Sequence, residues 1–379
     1  MNLLIKSATI VDPKSKFHNK TQDILIEKGI ISKIATSIKN TNNYREIFLE
    51  NLHISQGWFD SSVCFGEPGY EERETIANGL HTAAKSGFTA VILNANSSPI
   101  IDSSSDISFI LSKAQNNAVT LIPTGALTKA SKGEELAEMF DMKSSGAIAF
   151  SDYKRPVSNA NLMKIALQYA STFKGLVCAF PQDNSIARNG VMHEDLASTK
   201  LGLKGIPALA EELQVARDLF LLEYTNGILH IPTISTAKSV ELIREAKAKG
   251  MDVTCSVAIH NLLLTVESLN TFDTNFKVTP PLRSQTDIEA LIEGLNDGTI
   301  DMVTSDHNPI DIEHKKVEFD NAMYGTIGLE SAFGALQTIF DTETSIKRLT
   351  SGKKRFGISS SHIEEGQLAN LTLFNPEGS

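Results

Sequence analysis

The sequence predicts an α/β fold built around a closed (β/α)8 barrel, and three observations carry that reading. Short apolar runs alternate with helical patterns eight times through the middle of the chain, as parallel strands joined by crossover helices do. Both ends alternate polar and apolar residues between turn signals, as strands of a separate sheet do. The length of 379 residues holds a barrel of about 250 residues with a small second domain.

At the N-terminal end, Leu3-Leu4-Ile5, Ala8-Thr9-Ile10-Val11, Ile24-Leu25-Ile26 and Ile31-Ser32-Lys33-Ile34 read as short strands. Asp12-Pro13 and Lys28-Gly29 supply the turns between them. Near the other end Glu365-Gly366 is a turn and Asn370-Leu371-Thr372-Leu373-Phe374 a strand. The two ends are therefore expected to share one small β-sandwich-like domain over residues 1–52 and 356–379, with the barrel over 53–355.

The eight expected barrel strands are 53–60, 89–94, 119–124, 147–151, 175–180, 227–232, 252–257 and 300–305. After the first, a helix is expected over 71–86, with Ile76, Leu80, Ala83 and Ala84 on one face and Gly87 stopping it. After the sixth, Ser235 or Thr236 caps a helix that runs to Gly250, with Glu245 and Lys249 paired at i,i+4. A doubly wound open sheet is the competing architecture, but no Gly-rich phosphate loop follows any strand.

Composition narrows the function classes. A formal net charge of -10 and the lack of a Lys/Arg-rich run argue against nucleic-acid binding. No run approaches the roughly 20 apolar residues of a membrane helix, and the first residues lack a secretory pattern. The three cysteines, Cys64, Cys178 and Cys255, are widely spaced and form no CxxC, which fits a reducing compartment. A cytoplasmic protein is the expectation.

Chemistry on a (β/α)8 barrel sits at the C-terminal ends of the strands. The donors there are Cys64, Asp152, Asp183, His260, Asp306 and His307, with no HxH or HExxH pair among them. His230 lies inside the sixth strand and reads as a hydrogen-bonded core residue. Cys64 equally reads as a small buried hydrophobe, and Asp306 beside His307 as a member of an ion pair.

The ordered motifs are recognisable. The segment from Asp60 through Glu67-Pro68-Gly69 resembles the dihydroorotase signature D-x-H-x-H-x-R-x-P-G. Asn96-Ser97-Ser98-Pro99 with Asp102 resembles the family's N-T-x-P-x-x-D. Leu201 to Pro207, Pro280-Pro281-Leu282-Arg283, Asp301 to His307 and Gly328-Leu329-Glu330 continue the match in order. The chain is similar to dihydroorotases of the multifunctional-complex type, within the amidohydrolase superfamily, over nearly its whole length. That resemblance implies the amidohydrolase type of barrel, zinc as the family's metal, and a place in pyrimidine biosynthesis.

The departures fall on the functional positions. Ser62 and Cys64 stand where the family has its HxH pair, Phe180 and Thr233 where strands five and six carry histidines. Tyr153 stands at the bridging aspartate, although a shift of one residue would put Asp152 there. Asp306, which the family uses as metal ligand and proton shuttle, is retained. In the substrate pocket Asn96 is kept, while Gly66 replaces an arginine, Thr279 an asparagine and Ile310 a histidine.

Zinc drives hydrolysis by lowering the pKa of its bound water from 15.7 to about 7, and hydroxyls or a phenyl ring do not replace imidazole in holding the ion. The expectation is a homologue without bound metal and without catalysis, kept for a structural or partner-binding role. The resemblance implies aspartate transcarbamoylase or another pyrimidine-pathway enzyme as partner, and a homodimer. The competing reading is a hydrolase of cyclic amides with a single metal held by Asp306 with Cys64 or His260. Cys64 with His307 as nucleophile and base, and a pocket gripping a small ligand with Asn96 and Arg283, are the remaining alternatives.

Overall fold

The computed structural model describes residues 2–377. Eight parallel strand positions close into a ring. They are Trp58–Val63, Phe88–Leu93, Thr120–Pro123, a single bridging residue Phe150, Val177–Cys178, Leu229–Ile231, Val253–Ala258 and Met302–Thr304. The ring closes where Val63 bridges His307 in parallel and the Cys64 amide donates to the His307 carbonyl at 2.7 Å.

Three strands differ most from expectation, the fifth, read over 175–180, being only Val177–Cys178. Residues 53–60, read as one strand, form two: His53–Gln56 pairs with Leu3–Val11 and Leu371–Phe374 in the terminal sheet, and Trp58–Val63 enters the barrel. Gly57 makes the corner, since a Cβ there would lie 2.1 Å from the Asn370 and Thr89 side-chain oxygens. The fourth strand shrinks to bridges from Phe150 to Gly125 and to Val177. It stops because the Asp152 carboxylate turns away to accept from the Leu127 and Thr128 amides, both at 2.9 Å, and Tyr153 turns left-handed at φ 54°.

The terminal sheet has six strands and draws on both ends of the chain. Its order runs Leu371–Phe374, His53–Gln56, Leu3–Val11, Thr21–Glu27, Ile30–Ala35, with Arg45–Ile47 also beside Leu3–Val11. Leu3, Ile5, Ile10, Ile24, Ile26 and Ile54 form its apolar face, the alternation that period-two patterning demands. The one tryptophan, Trp58, ties sheet to barrel: its ring stacks on Phe333 at 4.7 Å and meets Phe374 at 5.6 Å.

The outer helices follow their caps. The first spans Ile76–Lys85, five residues later than its expected start, with Thr75 accepting from the Asn78 amide. It starts late because the Glu74 carboxylate is drawn inward to His307. The helix after the sixth strand spans Ala237–Ala248, capped by Thr236 through the Ser239 amide. Ser103 with Asp106 and Ser284 with Asp287 form capping boxes on two others. No helix of the described residues is long and apolar enough to cross a membrane.

Candidate functional site at the barrel mouth

Three residues at the C-terminal ends of strands four, six and eight share an unusual backbone. Tyr153, Thr233 and Asp306 have φ of 54°, 51° and 52°. A left-handed non-glycine residue costs about 1–3 kcal/mol and persists where surrounding structure over-determines it, often at functional sites. These are three of the positions that the resemblance assigns to the metal site. Of the three, Asp306 keeps the side chain that the resemblance expects, while Tyr153 and Thr233 do not.

Asp306 is buried, and its Oδ2 accepts from the Lys154 ammonium at 2.7 Å. Its Oδ1 has no hydrogen-bond partner among the described residues. The Lys154 side chain is only 12% exposed and lies over the Tyr153 ring at 5.3 Å. Asp60, also buried, binds the Ser62 amide at 2.9 Å, the Ser305 amide at 2.8 Å and the Thr304 hydroxyl. It thereby locks the first strand to the last. Burial raises the Asp60 pKa despite these donors.

The remaining site positions are crowded rather than ligating. The Ser62 hydroxyl accepts from the Asn94 amide at 3.0 Å. The Cys64 thiol, beside Tyr153 and Asn96, is pushed by burial up to about 11 and stays protonated at neutral pH. Burial likewise holds the Tyr153 phenol well above its usual value. Phe180, Thr233 and Tyr153 line the barrel's central cavity with Lys154 and Asp306, and that cavity measures about 20 Å³. One water fills such a space.

His260 comes close enough to feel Asp306 and Lys154, and burial pushes its pKa down to about 4. Its buried Nε2 has no hydrogen-bond partner among the described residues. His307 is fully used: Nε2 lies 2.9 Å from a Glu74 oxygen and Nδ1 3.2 Å from the Gly328 amide. The alternative of Cys64 and His307 as nucleophile and base therefore has neither a thiolate nor a free imidazole to draw on. Arg283, named in the alternative of a ligand-gripping pocket, is also committed. It donates to the Ser235 hydroxyl and the Ile206 carbonyl, both at 3.0 Å, with a Glu211 carboxylate 3.5 Å away.

Of the expected pocket positions, Asn96 stays beside Cys64, while Gly66, Thr279 and Ile310 do not line the cavity. A Cβ at Gly66 would meet the Tyr70 carbonyl at 1.9 Å, so the loop has closed where a long side chain would pass. Asp183 is spent as a helix cap on the Ser185 amide at 2.8 Å. Lys154 is the residue that sequence reasoning missed. It follows Tyr153 directly, and a lysine three residues past the expected strand end at 151 was the available signal.

These residues do not fit zinc. A catalytic site needs three protein ligands and an open position, and no group of three His, Cys, Asp or Glu among the described residues could hold a metal. The Asp306 carboxylate already carries an ammonium, which would repel a dication. The thiol and phenol beside it hold their protons.

A family model described as Dihydro-orotase-like matches residues 53–239. The dihydroorotase of Pelotomaculum thermopropionicum is 44% identical over 385 residues, covering 100% of this chain and 90% of that protein. The dihydroorotase of Acetivibrio thermocellus is 41% identical over 379 residues, covering 98% and 88%. Among solved structures, the L-hydantoinase of Arthrobacter aurescens superposes with a TM-score of 0.80 at 20% identity, covering 97% of this chain and 84% of that one. The D-hydantoinase of a Thermus species gives 0.76 at 21%, covering 97% and 85%. Those two establish the barrel fold, and the sequence relatives establish more: this chain belongs to the dihydroorotase family.

Proposed function

We propose that this chain is a dihydroorotase-family barrel that hydrolyses no dihydroorotate and serves pyrimidine biosynthesis in a structural or partner-binding role. The observation that carries this reading is the Lys154–Asp306 ion pair at 2.7 Å. An internal ammonium supplies the counter-charge that a family metal would supply, so the aspartate is neutralised without an activated water. Phe180 and Tyr153 fill the space beside it, and the closed loop at Gly66 leaves no route for an arginine to hold a substrate carboxylate. The partner implied by the resemblance is aspartate transcarbamoylase.

Two measurements test this. Purified protein supplied with zinc is expected to open the dihydroorotate ring no faster than a protein-free blank. Turnover that disappears in Asp306→Ala would overturn the non-catalytic reading. Co-purification of a tagged chain with its cognate aspartate transcarbamoylase is expected. Separate migration of the two, with no change in transcarbamoylase stability, would overturn the partner.

A second reading has one observation in its favour. Asp306 Oδ1 and His260 Nε2 are both buried without hydrogen-bond partners among the described residues, and they are two of the groups that a single-metal cyclic-amide hydrolase would use. It requires Lys154 to leave Asp306, and bound metal in stoichiometric amount would favour it.

A further inference from the structure

We propose that the cleft between the terminal sheet and the barrel helix Thr342–Thr350 binds a small phosphorylated molecule, a phosphomonoester with an apolar ring attached. The cleft lies apart from the barrel mouth, and the proposal does not depend on the non-catalytic reading. Lys353, on the cleft wall, donates to the carbonyl of Gly57, the residue before the first barrel strand. The cleft therefore lies at the N-terminal ends of the strands, the face that barrel enzymes do not use for chemistry. It measures about 630 Å³, against about 20 Å³ for the cavity at the mouth. Pockets for small ligands usually span about 300–1,000 Å³ and favour domain boundaries. Helix Thr342–Thr350 turns one face into the cleft, with Glu343, Ile346, Lys347 and Thr350 at helical spacing.

The lining carries the charge that one phosphate group needs. Lys14, Lys347, Lys353 and Lys354 stand against Asp12 and Glu343, four ammoniums less two carboxylates. The surplus of two matches the charge of roughly −1.5 to −2 on a phosphomonoester, and it occurs in a chain of net charge -10. The two carboxylates are turned elsewhere. Glu343 lies 3.3 Å from His18 Nε2, and Asp12 accepts from the Ile363 amide at 2.8 Å and from Gln56 at 3.2 Å. None of the four lysines is in an ion pair among the described residues. Lys353 points to a ligand most directly, being 3% exposed. An ammonium has three donors, and the one hydrogen bond of Lys353 among the described residues goes to Gly57. A buried charge is costly unless a counter-charge meets it, and an anion in the cleft supplies one. No arginine of the described residues lines the cleft. Arginine forks match planar carboxylates, whereas lysine ammoniums hold phosphate as point charges, so phosphate is the anion that this lining fits. Val11, Pro13, Ile346 and Ile358 form the apolar wall against which the ring rests.

Isothermal titration calorimetry of the full chain with phenyl phosphate and with AMP, two phosphomonoesters of different ring size, tests the proposal. At least one is expected to bind once per chain with Kd below about 1 mM. Benzoate, which keeps the ring and exchanges phosphate for carboxylate, is expected to bind at least about tenfold more weakly than phenyl phosphate. Lys347→Glu and, separately, Lys354→Glu are expected to weaken binding roughly tenfold or more, the scale of one lost hydrogen bond to a charged group. Both side chains are exposed, so circular dichroism should not change. Lys200→Glu makes the same change of net charge at an exposed position on helix Leu196–Leu201 and is expected to bind as wild type does. Saturable binding of neither phosphomonoester, benzoate bound as tightly as phenyl phosphate, or an affinity untouched by both cleft substitutions would overturn the proposal.

Discussion

The Lys154 ammonium lies 2.7 Å from Asp306 Oδ2, with the two side chains 12% and 2% exposed. Two strand ends that the family resemblance assigns to a metal centre are thus joined by an ion pair within the chain. Taking charges out of water is costly, and removing one partner of a buried pair typically costs about 3–5 kcal/mol because the other charge is left uncompensated. Lys154→Met, which keeps the stem and deletes the charge, is expected to lower stability by about 2–4 kcal/mol. Adding Asp306→Asn should recover a large part of that loss. Urea unfolding of the four proteins of this double-mutant cycle gives the coupling directly, and additive effects would remove the pair from the account.

The loop after the first barrel strand makes a steric prediction. A Cβ at Gly66 would sit 1.9 Å from the Tyr70 carbonyl and 3.1 Å from that of Glu74. Gly66→Ala is expected to destabilise by about 1–3 kcal/mol, the usual cost of overpacking. Gly66→Arg should cost at least as much and restore no substrate binding. Thermal unfolding of both variants checks this, and wild-type stability in Gly66→Arg would show the loop free to open.

Lys353 gives a pH signature away from the mouth. Its ammonium is buried and donates to the Gly57 carbonyl, and burial lowers its pKa from 10.5 to about 8. Between those values the unfolded chain binds the extra proton and the folded chain does not, so this group's contribution to stability rises with pH through that window. Below about pH 8 both states are protonated and the cost of the buried charge is constant. The stability of wild type relative to Lys353→Met is therefore expected to rise between pH 8 and 10.5 and to stay flat from pH 6 to 7.5. A flat difference across the whole range would mean that Lys353 stays charged.

His307 predicts a structural effect where its family position suggests chemistry. With Nε2 on Glu74 and Nδ1 on the Gly328 amide, His307→Ala leaves a buried carboxylate oxygen without its donor. A loss of about 1–3 kcal/mol is expected, measured by urea unfolding, and no loss would mean that water replaces the ring.

Most of the barrel was legible because its signals are local. The apolar strand runs, a cap at Ser235 or Thr236 and a strand over 370–374 all depend on neighbours within a few residues. The corner at Gly57 was not, since it depends on Asn370 and Thr89 from distant parts of the chain. The shrunken fourth strand was missed for a similar reason: what ends it is the Asp152 carboxylate reaching back to Leu127 and Thr128. At the mouth, the motif order of the resemblance pointed to Ser62, Cys64, Phe180, Thr233 and Asp306, with Tyr153 or Asp152 at the bridging position. The role of Lys154 was not legible, because its partner lies 152 residues away and only closure of the ring brings them together. The commitment of Arg283 was not legible either, because Glu211, which lies 3.5 Å from it, sits on a helix 72 residues earlier in the chain.

Elemental analysis of untagged protein expressed with zinc supplied tests most directly whether the Lys154 ammonium at the barrel mouth takes the place of a metal. Metal well below one equivalent per chain, with Lys154→Met no richer in it, is the predicted result. Near-stoichiometric metal that is lost in Asp306→Ala would contradict the account and place a rebuilt metal site at Asp306.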